Sequence, residues 1–129
     1  MAVASWDDVR RIGARLPEVE EAASYHRMPA LKARGRPFCR LWSPREHDRD
    51  GVHDTAVVVV FCDLEDKEAL LATFPEAVFT TSHYDGHPAL LVRLADVDDD
   101  LLAELLEDSY RLRAPKRLVA QLDEAADPS

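Results

Sequence analysis

The chain has 129 residues, 47% of them hydrophobic and 32% charged, the size and balance of one globular domain with its own core. No apolar run approaches the roughly 20 residues that span a bilayer, and Met1 to Asp8 lacks the basic-then-apolar order of a secretory leader, so a cytoplasmic protein with no membrane partner is expected. Two cysteines, Cys39 and Cys62, with no CxxC pair, exclude a disulfide framework and a thiolate zinc site, and a formal net charge of −9 argues against a surface that clings to phosphate all round.

In chain order, Ser5 followed by Asp8 has the spacing of a capping box, and Trp6, Val9, Ile12, Gly13 and Leu16 recur at helical spacing up to Pro17, which predicts a first amphipathic helix. Met28–Ala33 and Phe38–Trp42 are apolar runs separated by Arg34, Gly35, Arg36 and Pro37, the pattern of a hairpin. Residues 43–54 are polar, with Pro44, Gly51, His47 and His53, and are expected to form a flexible loop. Ala56–Cys62 is nearly all valine and reads as a strand covered on both faces. Asp63, Glu65 and Asp66 suit the start of a helix that ends before Pro75. Two more strands, Ala77–Thr81 and Ala89–Ala95, flank the Asp85-Gly86 turn pair. Asp98 to Asp100 introduce a helix with Leu101, Leu102, Leu105, Leu106 and Tyr110 on one stripe, and Pro115 opens a final helix whose tail frays from about residue 124. The expected architecture is one α+β domain over residues 1–129, two layers with a mostly antiparallel sheet, in the order α-β-β-β-α-β-β-α-α.

The stretches LPEVEEAASYHRMPALKARGRPFCRL, AVVVVFCDLEDKEALL, TTSHYDGHPALLVRL and LLEDSYRLRAPKRLVAQL together resemble the MmcQ/YjbR-like family over nearly the whole chain. The resemblance implies a β(3)-α-β(2) centre flanked by helices, like that of type III secretion chaperones and often described as frataxin-like. It also implies DNA binding through a proposed double-wing arrangement, in a family otherwise without an assigned function. Relatives often carry a Lys-Trp pair where this chain enters its last strand with Pro88 and Ala89.

Charge is divided along the chain. Residues 10–49 carry ten basic and five acidic side chains, whereas residues 50–110 carry fifteen acids against Lys67 and Arg93 alone. Lys32, Arg34, Arg36 and Arg40 lie on or beside the first hairpin, and Lys116 and Arg117 begin the last helix, where cations oppose the helix dipole. A basic hairpin of this kind suits a phosphate backbone, as well as simple solvation of an edge. His26 beside Tyr25 and His83 beside Tyr84 fall at strand ends, where an imidazole titrating near neutrality can orient a small ligand. His83 and His87 flank a turn, so the helical spacing of a zinc enzyme is missing, and Asp96 with Asp98 to Asp100 lacks an EF-hand pattern. Ser109 has no GxSxG context, and Cys39 and Cys62 read as core. No catalytic residue, metal or cofactor is expected. Three functions fit: a non-enzymatic module binding nucleic acid weakly and salt-sensitively, a protein-interaction module or homodimer of the chaperone kind, and a small-molecule site around Tyr25, His26, His83 and Tyr84.

Overall fold

The computed structural model describes residues 4–126. Six strands, β1 (Val19–Ala23), β2 (Pro29–Ala33), β3 (Arg36–Leu41), β4 (Val57–Phe61), β5 (Val78–Phe79) and β6 (Ala89–Arg93), form one sheet in the order β1-β2-β3-β4-β6-β5. Every neighbouring pair is antiparallel. The helices are α1 (Trp6–Gly13), α2 (Pro44–Asp50), α3 (Leu64–Thr73), α4 (Asp99–Arg113) and α5 (Lys116–Ala126), with a 3-10 turn at Tyr25–Arg27. The α+β class and antiparallel sheet match the sequence reading, with two elements added to it. None of the described helices is long and apolar enough to cross a membrane.

One sheet face carries the main core. Leu31 and Ala33 of β2, Val58 and Val60 of β4, and Leu90 and Val92 of β6 alternate onto the same side as Val9 and Ile12 of α1, Leu102, Leu106 and Tyr110 of α4, and Leu118 of α5. The period of two in the strands meets the period of 3.6 in the helices there. α1 comes so close to β2 that a Cβ on Gly13 would collide with the Leu31 side chain. A register shift in the β2–β3 ladder leaves Phe38 unmatched between Cys39 and Pro37, so Phe38 and Cys39 both turn into this core. Cys39 and Cys62 are free thiols and buried, and burial pushes the Cys39 thiol up to about 12 and the Cys62 thiol to about 11. They pack rather than react, as the sequence suggested.

The first addition is β1. Its sequence, VEEAA, carries two adjacent glutamates and little strand propensity, but five residue pairs with β2 hold it. Glu20 faces Lys32 across that ladder, and Glu21 on the other side accepts a hydrogen bond from Arg10 of α1. Tertiary pairing outweighs propensity at this edge. The second is α2, which replaces most of the loop expected at 43–54. Ser43 Oγ accepts from the Glu46 N–H (3.3 Å) while the Glu46 carboxylate accepts from the Ser43 N–H (3.0 Å), and Pro44 stands at the first helical position. Gly51 ends the helix with φ +69°, a left-handed conformation that costs glycine nothing. Capping groups at both ends stabilise a helix of only seven residues.

A buried ion pair, an open groove and a basic corner

The second face of the sheet is built from the alternate residues. Register carries one row straight across it: Ala22, Ala30, Arg40, Val59, Leu91 and Phe79. None of the described long helices covers this side; α2 and residues 80–88 lie over part of it, where Trp42, Val57, Val59, Tyr84, Ala89 and Leu91 form a smaller core. Arginine in the middle of a sheet must be matched, and Arg40 is. Its Nη1 and Nη2 donate to the two oxygens of Glu46 at 2.6 and 2.8 Å, with Arg40 17% and Glu46 3% exposed. Tyr84 Oη donates to Glu46 (3.3 Å) and accepts from Trp42 Nε1 (3.2 Å). Burial alone would raise the Glu46 carboxyl, but Arg40 and the Ser43 N–H hold it down at about 2. The pair therefore fastens α2 and the 80–88 segment to the sheet.

That segment has a second anchor. The buried ammonium of Lys67 on α3 donates to the carbonyls of Tyr84 (2.7 Å) and His87 (3.0 Å), and Thr81 Oγ1 donates to Asp50 (3.2 Å). What the segment leaves uncovered is a groove of about 280 Å³ beside Arg40, floored by Val59, Phe61 and Ala89 and edged by His83, Tyr84 and His87. A smaller hollow of about 90 Å³ continues it past Val59 and Phe61 to Pro37 and Ser24. His83 and Tyr84, whose rings touch with centroids 5.3 Å apart, thus share a cavity. His26 is not among its lining residues; it is exposed, with φ +53°. The side chain of Tyr25 lies outside the described residues.

The hairpin and the last helix meet at one corner of the sheet. Arg34, at φ +53°, and Gly35, at φ +81°, make the two-residue turn between β2 and β3, both left-handed as a tight hairpin requires. Glu18 bridges the gap to α5: one oxygen takes Arg34 Nη1 (3.2 Å) and the other Arg117 Nη1 (3.4 Å). Tyr110 Oη donates to the neighbouring Pro17 carbonyl (2.8 Å), which ties this link to α4. Arg113, the last residue of α4, donates to the Pro37 carbonyl (3.2 Å) and lays its guanidinium 4.4 Å from the centre of the Phe61 ring. Among the described residues, Lys32, Arg36 and Lys116 have no carboxylate within ion-pair distance. Of the six cations singled out in the sequence, Arg34, Arg36, Lys116 and Arg117 gather here, and Lys32 stands on the adjoining open face. Arg40 is placed differently: it is turned to the face covered by α2, where Glu46 pairs with it. Arg113 was missed, since nothing local distinguishes an arginine at a helix end that reaches around the sheet.

The YjbR family model matches residues 14–112. The chain belongs to the YjbR family. An uncharacterized protein of Mycobacterium tuberculosis, Rv2570, and its Mycobacterium bovis counterpart, Mb2600, are each 39% identical over 123 residues, 91% of this chain and 94% of theirs. The crystal structure of Deinococcus radiodurans protein DR2400, a DUF419 domain, superposes with a TM-score of 0.65 over 85% of this chain and 78% of that one. At 23% identity that likeness speaks for the fold. The YjbR match contains the hairpin, the Arg40–Glu46 pair and the whole groove, whereas Arg113, Lys116 and Arg117 fall beyond it.

Proposed function

We propose that this YjbR domain is a non-enzymatic, cytoplasmic binding module that takes nucleic acid on its basic corner, using Arg34, Arg36, Lys116 and Arg117, with Lys32 flanking them and Arg113 added. The observation that carries the reading is the Glu18 bridge. It brings guanidinium groups 83 positions apart in the chain onto one carboxylate, with Lys116 adjoining Arg117 in sequence, Arg36 two residues from Arg34, and Arg113 donating to the Pro37 carbonyl beside Arg36. Lys116 and Arg117 occupy the first turn of α5, where the dipole disfavours them; an arriving phosphate removes that conflict. The acidic remainder of the chain opposes long-range attraction, so the expected binding is weak and steep in salt.

Fluorescence anisotropy with a labelled oligonucleotide tests this directly. Three or four phosphate contacts predict a log–log salt slope of about −3, and Arg36→Ala with Lys116→Ala should flatten it by about 2. Neither substitution touches an ion pair, so the fold remains. Absence of binding at about 20 mM salt, or affinity indifferent to the double substitution, removes the reading.

A further inference from the structure

Arg113 belongs to two places at once. Its Nε donates to the Pro37 carbonyl, next to Arg36 in the basic corner, while its guanidinium covers one side of Phe61, which floors the groove. The corner and the groove are therefore one continuous surface: cations at the sheet's end, then Pro37, Phe61 and Val59, then the imidazoles of His83 and His87. An apolar floor with an aromatic ring, edged by groups that donate or accept hydrogen bonds, is the chemistry that receives a base face. Duplex DNA keeps its base faces stacked inside and offers the groove nothing. A single strand has unpaired bases to place there, and its lower charge density weakens repulsion by the acidic body.

We propose that the nucleic acid at the basic corner is single-stranded, with unpaired bases resting in the groove against Phe61, Val59 and Pro88 while the phosphates follow Arg113 and Arg36. This rests on the corner being a phosphate-binding surface, and the experiment separates the two. The full chain is titrated at low salt into three labelled probes of equal length, an oligothymidylate of about fifteen nucleotides, an abasic oligomer and a duplex. The oligothymidylate should bind about tenfold tighter than either of the others, the worth of one well-stacked base. Phe61→Leu and, separately, the exposed His87→Ala should each reduce that preference to about twofold or less, and abasic binding should stay unchanged in His87→Ala, whose side chain contacts none of the corner cations. Equal affinity for oligothymidylate and abasic oligomer overturns the groove assignment and leaves the corner standing. A preference that survives both substitutions overturns it as well. If no probe binds, the corner reading falls and this one falls with it.

Discussion

Glu46 and Glu18 each accept hydrogen bonds from arginine, yet Glu46 is 3% exposed and meets one guanidinium through both oxygens, whereas Glu18 is 39% exposed and divides its oxygens between two. Around Glu46 every strong polar group has a partner: Ser43, Tyr84 and Trp42 complete the set. Around Glu18 two guanidinium groups share one carboxylate. The same chemical pair thus serves two ends, with burial and stoichiometry deciding between them. A desolvated one-to-one pair fixes the positions of the elements that carry it. A solvated carboxylate shared by two arginines holds them near each other without burying either.

The largest effect should come from breaking the buried pair. Glu46→Ala leaves the Arg40 guanidinium without its counter-ion and removes the carboxylate half of the α2 capping box, which predicts a loss of about 3 kcal/mol or more in urea unfolding. The pH dependence has a definite sign. Because the folded carboxyl lies at about 2 against the ordinary 4.5, the unfolded chain binds the extra proton between those values, so the contribution of Glu46 is complete above about pH 4.5 and lost as pH falls towards 2. The gap between the parent and Glu46→Ala should narrow over that window. A substitution that costs less than about 1 kcal/mol at neutral pH would make Glu46 no different in kind from Glu18.

A smaller effect sharpens the boundary between the regions. At the end of β3 and β4 nearest the corner, the Ser109 hydroxyl from α4 stands between the strands, accepting from the Phe61 N–H (2.8 Å) and donating to the Phe38 carbonyl. This is where the bulge at Phe38 has disturbed the ladder. Ser109→Ala should cost about 1 to 2 kcal/mol, since two buried backbone groups lose their partner, and hydrogen exchange at the Phe61 amide should quicken more than at Val58. Uniform acceleration along β4 would show instead that Ser109 supports the core as a whole.

How much of this is readable from sequence follows from how local each cause is. The valines of β4 announce a central strand because both faces are covered, and the leucine stripe of α4 announces its buried side. The capping box of α2 is present as Ser43-Pro44-Arg45-Glu46, but inside the polar run PREHDRD it has no apolar stripe to support it, and the helix is held by Arg40 instead. β1 is invisible for a similar reason: Glu21 is paired with Arg10 and Glu20 stands opposite Lys32 in the ladder, residues that only folding brings near. The cations of the hairpin and of α5 are visible as charge, yet their convergence depends on Glu18, which lies 16 residues from one partner and 99 from the other. Arg40 and Arg36 lie on the same strand, and the bulge at Phe38, not composition, turns Arg40 to the face where Glu46 meets it.

The smallest effect on stability is expected at Glu18, and there the binding readout matters more. An exposed, shared ion pair is worth little, so Glu18→Gln should change unfolding free energy by no more than about 0.5 kcal/mol. The same change removes the carboxylate shared by Arg34 and Arg117, so oligonucleotide affinity at low salt should rise by about two- to threefold, a gain that disappears as salt screens the corner. Glutamine keeps an acceptor for one of the two guanidinium groups, which guards against the arginines simply moving apart. A Glu18→Gln protein that unfolds much more easily and binds no better would mean that Glu18 works as Glu46 does, holding structure together. The corner would then be a second fastening between the hairpin and α5, its arginines spent on the fold.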